Sequence, residues 1–213
     1  MLARAIVVLL LLSSSPARAA DLQTYVIDSE ESWIRILVYR AGLMSGLGHN
    51  HVISSLDING LIKCTTALRD VSLDVHFPVT MLVVDNAEQR DMEGDDFPGQ
   101  LSDKDIQRTR RNMLGRKLLD ADNYPEIRIR SRDVSGDLES LTVVADFVVA
   151  GQTNSITFPA SVRRVKDQLL ISGMAQVSHK ELGLKPFSAG FGTLRVHQDI
   201  SIRFEMIAYR HLN

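Results

Sequence analysis

From residue 33 onward, apolar and polar side chains alternate with a period of two, and this restricts the fold more than any other feature. Ile34, Ile36 and Val38 interleave with Arg35, Leu37 and Tyr39, and Val71, Leu73, Val75 and Phe77 with Ser72, Asp74 and His76. The clearest run is Ile200, Ile202, Phe204, Met206 and Ala208, with Ser201, Arg203 and Glu205 between them. Neighbouring side chains on an extended strand point to opposite sheet faces, so each run gives a sheet one dry face and one wet face.

Short turn signals separate these runs. Gly136-Asp137 lies between the strand of Ile127 and Ile129 and that of Leu141, Val143, Ala145 and Phe147. Gly151-Gln152 precedes Ile156, Phe158, Ala160 and Val162, and Lys166-Asp167 precedes Leu169, Ile171, Gly173 and Ala175. Strands joined by tight turns form an antiparallel meander. The pattern predicts an all-β chain of about eight strands, enough to close a small barrel that holds one ligand. One segment departs from it. Ser102 with Asp105 three residues on reads as a capping box, and Ile106, Met113, Leu114 and Leu118 form an apolar stripe. A helix over 102–118 is expected, packed on the barrel or capping one end. Its Arg108, Arg110, Arg111, Arg116 and Lys117 offer weak attraction to a membrane surface, and a solvated face balanced by the acidic stretch 88–96 is the plainer reading.

The N-terminus has the order of an export signal. Arg4 precedes the apolar run 5–12, then Ser13-Ser14-Ser15-Pro16, then Ala17-Arg18-Ala19. The run is too short to span a bilayer, which takes about 20 apolar residues. Residues 1–19 are therefore expected to be removed, leaving one domain over 20–213 in the periplasm. Cleavage takes away two of the 24 basic residues, Arg4 and Arg18, and none of the 26 acidic ones. A mildly acidic chain is a poor partner for nucleic acid, whose binding rests on phosphate neutralisation. Cys64 is the only cysteine, so no internal disulfide forms, and at a strand end it reads as a small buried residue.

Four landmarks in order carry a family resemblance. They are Tyr25-Val26-Ile27-Asp28 with Ser32; Asn112-Met113-Leu114-Gly115 with Leu118-Leu119-Asp120-Ala121 and Tyr124-Pro125-Glu126-Ile127; Gly151-Gln152-Thr153; and Leu182-Gly183-Leu184-Lys185-Pro186-Phe187-Ser188. Together they resemble the YceI-like proteins over roughly 24–208. The resemblance implies a lipocalin-like barrel, exported to the periplasm, that encloses a polyisoprenoid or similar amphiphile. The sequence departs from the family pattern at Gly46-Leu47-Gly48-His49-Asn50-His51, where a Gly-Phe-type turn is expected.

Candidate ligand-binding residues follow from both lines of reasoning. Phe77, Ile129, Phe147 and Phe158 are candidates to line the lumen, with His49 and His51 at its mouth toward a polar head group. Burying hydrocarbon releases roughly 0.8 kcal/mol per CH₂, which an apolar barrel supplies without catalytic groups. An alternative reading gives His49 and His51, on one face of an extended segment, to a metal or haem with His179 as a third ligand, and so to redox chemistry. Against it, the two histidines can simply hydrogen-bond within a Gly-rich loop. His76 and His197 fall on polar phases and are expected to face solvent. No Gly-x-Ser-x-Gly, dinucleotide-binding or EF-hand pattern is present, so neither an enzyme nor a cofactor is expected.

Overall fold

The computed structural model describes residues 22–211. Its strands are β1 (Leu22–Ile27), β2 (Trp33–Ala41), β3 (His51–Ser55), β4 (Asn59–Thr65), β5 (Ser72–Pro78), β6 (Val83–Val84), β7 (Glu126–Asp137), β8 (Ser140–Val149), β9 (Gln152–Val165), β10 (Gln168–Ser178), β11 (Ser188–Ala189) and β12 (Leu194–Arg210). Two helices, α1 (Ala87–Met92) and α2 (Asp103–Leu114), lie between β6 and β7. Every pairing is antiparallel. In the order β1-β4-β5-β7-β8-β9-β10-β12, with β12 returning to β1, eight strands close a barrel. Full closure removes the exposed edges that invite aggregation.

The long β12 makes this closure possible. One edge pairs with β10, from Gln168↔Tyr209 to Ser178↔Asp199, and at its start with β11. The other edge is shared: residues 208–210 pair with β1, whereas Arg195 to Glu205 pair with β2, with a register shift between Val196 and Ile200. From β2 the sheet continues into β3 and β6. The sequence count of about eight therefore matches the closed barrel, and β2, β3, β6 and β11 extend it.

The inward residues are those the alternation selects: Val143, Ala145 and Phe147 on β8, Ile156, Phe158 and Ala160 on β9, and Ile200, Phe204 and Met206 on β12 are all buried in one core. The β8–β9 connection is a two-residue turn with Ala150 and Gly151 at φ 47° and 74°, the geometry that matches strand twist.

α2 begins where the sequence places it. The Ser102 hydroxyl accepts from the Asp105 amide at 3.2 Å and donates to the Asp105 carboxylate at 2.6 Å. It ends at Leu114 rather than 118, because Gly115 turns extended and the chain then folds back, with the Leu119 amide bonded to the Met113 carbonyl. Leu118 and Leu119 thus reach the core from a turn. The basic face of α2 is not all free: Arg110 donates to the carbonyls of Thr80 and Leu82 and pins the helix to the β5–β6 connection.

In the acidic stretch 88–96, Glu88, Asp91, Asp95 and Asp96 are exposed, as a solvated stretch requires, but the segment is also built into the fold. It contains α1, capped by Asn86, with Arg90 only 1% exposed, and the Glu93 carboxylate bridges Arg35 and Arg203. The loop after α1 inserts Phe97 against Leu37 and Val52 on the outer face of β2 and β3, making a second small core that also touches Tyr39. His76 is half-buried rather than solvent-facing, whereas His197 is exposed as expected. Cys64 is fully buried, and burial pushes its thiol pKa up, partly opposed by nearby Arg164.

Candidate functional site

Inward residues alone do not fill the barrel. A cavity of about 180 Å³ runs through it, lined by Phe77, Ile129, Phe147 and Phe158, the four residues expected there. Phe158 is central: its ring meets Phe147 and Phe204 edge-to-face, each at 5.9 Å between centroids. Apart from the sulfurs of Cys64, Met113 and Met206 and the His179 imidazole, the lining side chains are hydrocarbon. Close-packed interiors leave few voids larger than a water, and an apolar void of about 150 Å³ stays dry and takes up a hydrocarbon guest. The lumen is of the size and apolar lining that this physics describes.

At one end the cavity adjoins a wider mouth of about 400 Å³. Val38, Ile53, Met113, Leu118 and His179 line both spaces, so the two lie side by side. The mouth differs in chemistry. Arg40, His49, His51, Asp105, Arg108, Asn112 and Arg195 line it alongside Leu47 and Phe187. The expected histidine pair therefore does share one face, that of the mouth.

His51 is held from behind. Its Nδ1 lies 2.6 Å from Asp85 Oδ2, while Asp85 Oδ1 accepts from the Val52 amide at 3.0 Å and from Arg90 Nη1 at 2.6 Å. Burial alone would raise the Asp85 pKa, but the hydrogen bond and charge of His51, with the bonds from Val52 and Arg90, outweigh it and hold it below the ordinary value. With Nδ1–H donated to a carboxylate, the ring orientation is fixed and Nε2 is the nitrogen left for a ligand. His179 is fixed in the same way, Nδ1 to the Gln198 carbonyl at 2.9 Å. His49 is exposed.

The departure from the family pattern now has a structural account. Asn50 takes the Arg40 amide on its Oδ1 at 2.9 Å and donates its Nδ2 to the Asp96 carbonyl at 2.7 Å. Arg90 Nη1 reaches the Asn50 carbonyl, and the same guanidinium reaches the carbonyls of Gly99 and Pro98. Asn50 and His51 thus staple the mouth loop to the α1 flank. Sequence reasoning missed Asp85 and Arg90, the two residues that position His51. The one available hint was Asp85 five residues before Arg90, which is indistinguishable from a surface pair. Among the described residues no group of three or more His, Cys, Asp or Glu converges on a metal position, so His179 does not complete a ligand set with His49 and His51.

Three of the four sequence landmarks meet at this end of the barrel. A Cβ on Gly151 would sit 2.4 Å from the Tyr124 ring, and one on Gly183 would sit 2.3 Å from the Gln152 side chain. The Tyr-Pro-Glu, Gly-Gln-Thr and Leu-Gly-Leu segments therefore depend on one another, each glycine making room for a side chain of the next.

A closed antiparallel barrel with a dry lumen and a polar mouth defines a lipocalin-like protein. Within that class, the family model for the YceI-like domain matches residues 25–208, and the chain belongs to this family. Among solved structures it is similar to BcnA of Burkholderia cenocepacia, at 13% identity and a TM-score of 0.60, covering 85% of this chain and 98% of that one. It is also similar to the YceI protein of Campylobacter jejuni, at 14% identity and a TM-score of 0.51, covering 74% and 82%. No curated protein matches the chain.

Proposed function

We propose that the protein is a non-enzymatic carrier holding one long apolar chain (polyisoprenoid, quinone-like or fatty) in its lumen, with the polar end at the mouth. The placement of a hydrocarbon-lined cavity directly beside a mouth lined by histidines and arginines carries this reading. Membership of a family known as polyisoprenoid-binding supports it. Phe77, Ile129, Phe147 and Phe158 enclose the tail, and His49, His51 and His179 meet the head group. We further propose that the carrier works in the periplasm. The export signal read in 1–19 lies outside the described residues, and N-terminal sequencing of exported protein should find Ala20 first. Retention of Met1 would overturn that part.

The carrier reading is tested by filling the lumen. Ala175 is buried on the cavity wall. Ala175→Phe should leave the circular dichroism spectrum unchanged and abolish uptake of a fluorescent fatty probe that the wild type binds. Equal uptake by both proteins would place the probe elsewhere and defeat the proposal.

A further inference from the structure

Two loops project beyond the mouth: 42–50, between β2 and β3, and 185–193, between β10 and β12. They form one tip. The Met44 amide bonds to the Thr193 carbonyl at 2.9 Å, Ala41 pairs with Arg195, and Gly48 packs against the Leu194 side chain. The three most exposed large apolar side chains among the described residues all lie here: Phe191 fully open, Leu43 at 96% and Leu47 at 71%. Met44 and Phe187 are exposed beside them. Single exposed apolar residues are ordinary on a protein surface, but a cluster beside a cavity mouth marks an interaction site.

The charge of the tip is as uneven as its polarity. Segments 40–51 and 185–195 contain Arg40, Lys185 and Arg195 and neither Asp nor Glu, in a chain of formal net charge −2. All three cations are exposed, and Asp105, the acid lining the mouth, is paired with Arg108 at 2.8 Å. Apolar side chains flanked by cations suit the surface of a bilayer, where the former enter the headgroup boundary and the latter meet lipid phosphates. A second copy of the chain fits less well, because a two-fold contact sets the same patch against itself. Arg40 and Arg195 would then face their own copies with no acid on either tip.

We propose that this tip docks the barrel mouth onto an anionic lipid bilayer, so that a hydrocarbon chain passes between membrane and lumen without crossing water. The proposal rests on the carrier reading for its purpose but not for its physics, and the two fail separately. The test is co-sedimentation of the purified chain with vesicles of phosphatidylcholine and phosphatidylglycerol in equal parts, compared with phosphatidylcholine alone. The wild type should bind the mixed vesicles, more weakly as salt rises. Replacing Leu43, Leu47 and Phe191 together by serine should weaken binding at least about tenfold. Arg40→Gln and Arg195→Gln should each weaken it about fivefold. Circular dichroism checks the fold of every variant. Leu43→Ser combined with Phe191→Ser, neither of which lines the mouth, should also lose vesicle binding while retaining uptake of the fluorescent fatty probe from detergent solution. Loss of probe uptake in the wild type would sink the carrier reading and leave docking standing. Equal sedimentation of the wild type and the triple variant would overturn docking. So would a wild-type dimer in analytical ultracentrifugation that the triple variant dissolves, since the tip would then be covered by a second copy.

Discussion

Strands β8–β9 and β2–β3 belong to one sheet but are built on different rules. Along β8, buried and accessible residues alternate from Leu141 to Val149, because one face lines the lumen and the other meets water. Along β3, four successive residues from Val52 to Ser55 are buried, since α1 and the loop carrying Phe97 cover the outer face. Both pairs line the cavity, β2–β3 through Ile34, Ile36, Val38 and Ile53. Only β2–β3 is also covered on its outer face, where Asp85 and Arg90 staple it and fix the mouth. Binding capacity and mouth geometry are therefore separable, and substitutions should divide along that line.

The largest effect is expected in the staple. Arg90→Ala leaves the buried Asp85 carboxylate without its guanidinium partner, and breaking such a pair costs about 3–5 kcal/mol. The denaturant midpoint should fall steeply, whereas lumen substitutions such as Ala175→Phe should shift it far less. A small shift for Arg90→Ala would mean the flank is not the anchor described.

Acid should act on the same point. The Asp85 carboxyl lies below its ordinary value of 3.8 in the folded protein. A depressed folded pKa contributes stability that is fully present above 3.8 and is lost as pH falls from there through the folded value. The stability gap between wild type and Asp85→Asn should thus be widest near neutral pH and narrow below 3.8. A gap that widens in acid would contradict the assigned direction.

The two histidines of the mouth loop should separate next. His51→Ala removes one hydrogen bond to a buried carboxylate and should cost about 1–3 kcal/mol of stability. His49→Ala should leave stability unchanged, because the side chain is exposed. In probe titrations each variant should lose about 1 kcal/mol or less of affinity for an amphiphile with a polar head. Equal stability losses would show that His49 is also anchored.

The smallest effect belongs to the outer wall. Asp74 on β5 accepts from Arg128 and Arg130 on β7, and the Arg128 hydrogen bond is the main cause of its lowered pKa. The pair is more than a third exposed, so Asp74→Asn should cost less than about 1 kcal/mol, and less again in salt. A larger loss, undiminished by salt, would mark the wall as a second anchor.

This division also explains what was legible in the sequence. Where one face is dry and the other wet, the alternation identifies the strand and its apolar face, from which Phe77, Ile129, Phe147 and Phe158 are candidates. Which face closes inward takes the barrel to decide. The α2 start was legible because Ser102 and Asp105 form a local cap. What lay hidden needs tertiary contact to acquire meaning. Leu37 sits on the polar phase of its strand yet is buried by Phe97, sixty positions later in the chain. Arg90 and Glu93 read as surface charges, and only the fold buries them beside Asp85, Arg35 and Arg203. The His-Asn-His segment suggested metal ligation because its true partners, Asp85 for His51 and the Arg40 amide and Asp96 carbonyl for Asn50, are distant in sequence.

The central claim is that hydrocarbon occupies the lumen, and co-purified lipid tests it most directly. Wild type and Ala175→Phe, purified in parallel without detergent and extracted with organic solvent, are compared by quantitative mass spectrometry. The account predicts about one apolar amphiphile per wild-type chain, held by burial at roughly 0.8 kcal/mol per CH₂, and its loss from the filled variant. Equal lipid in both proteins, or none in a wild type that also refuses added lipid, would contradict it.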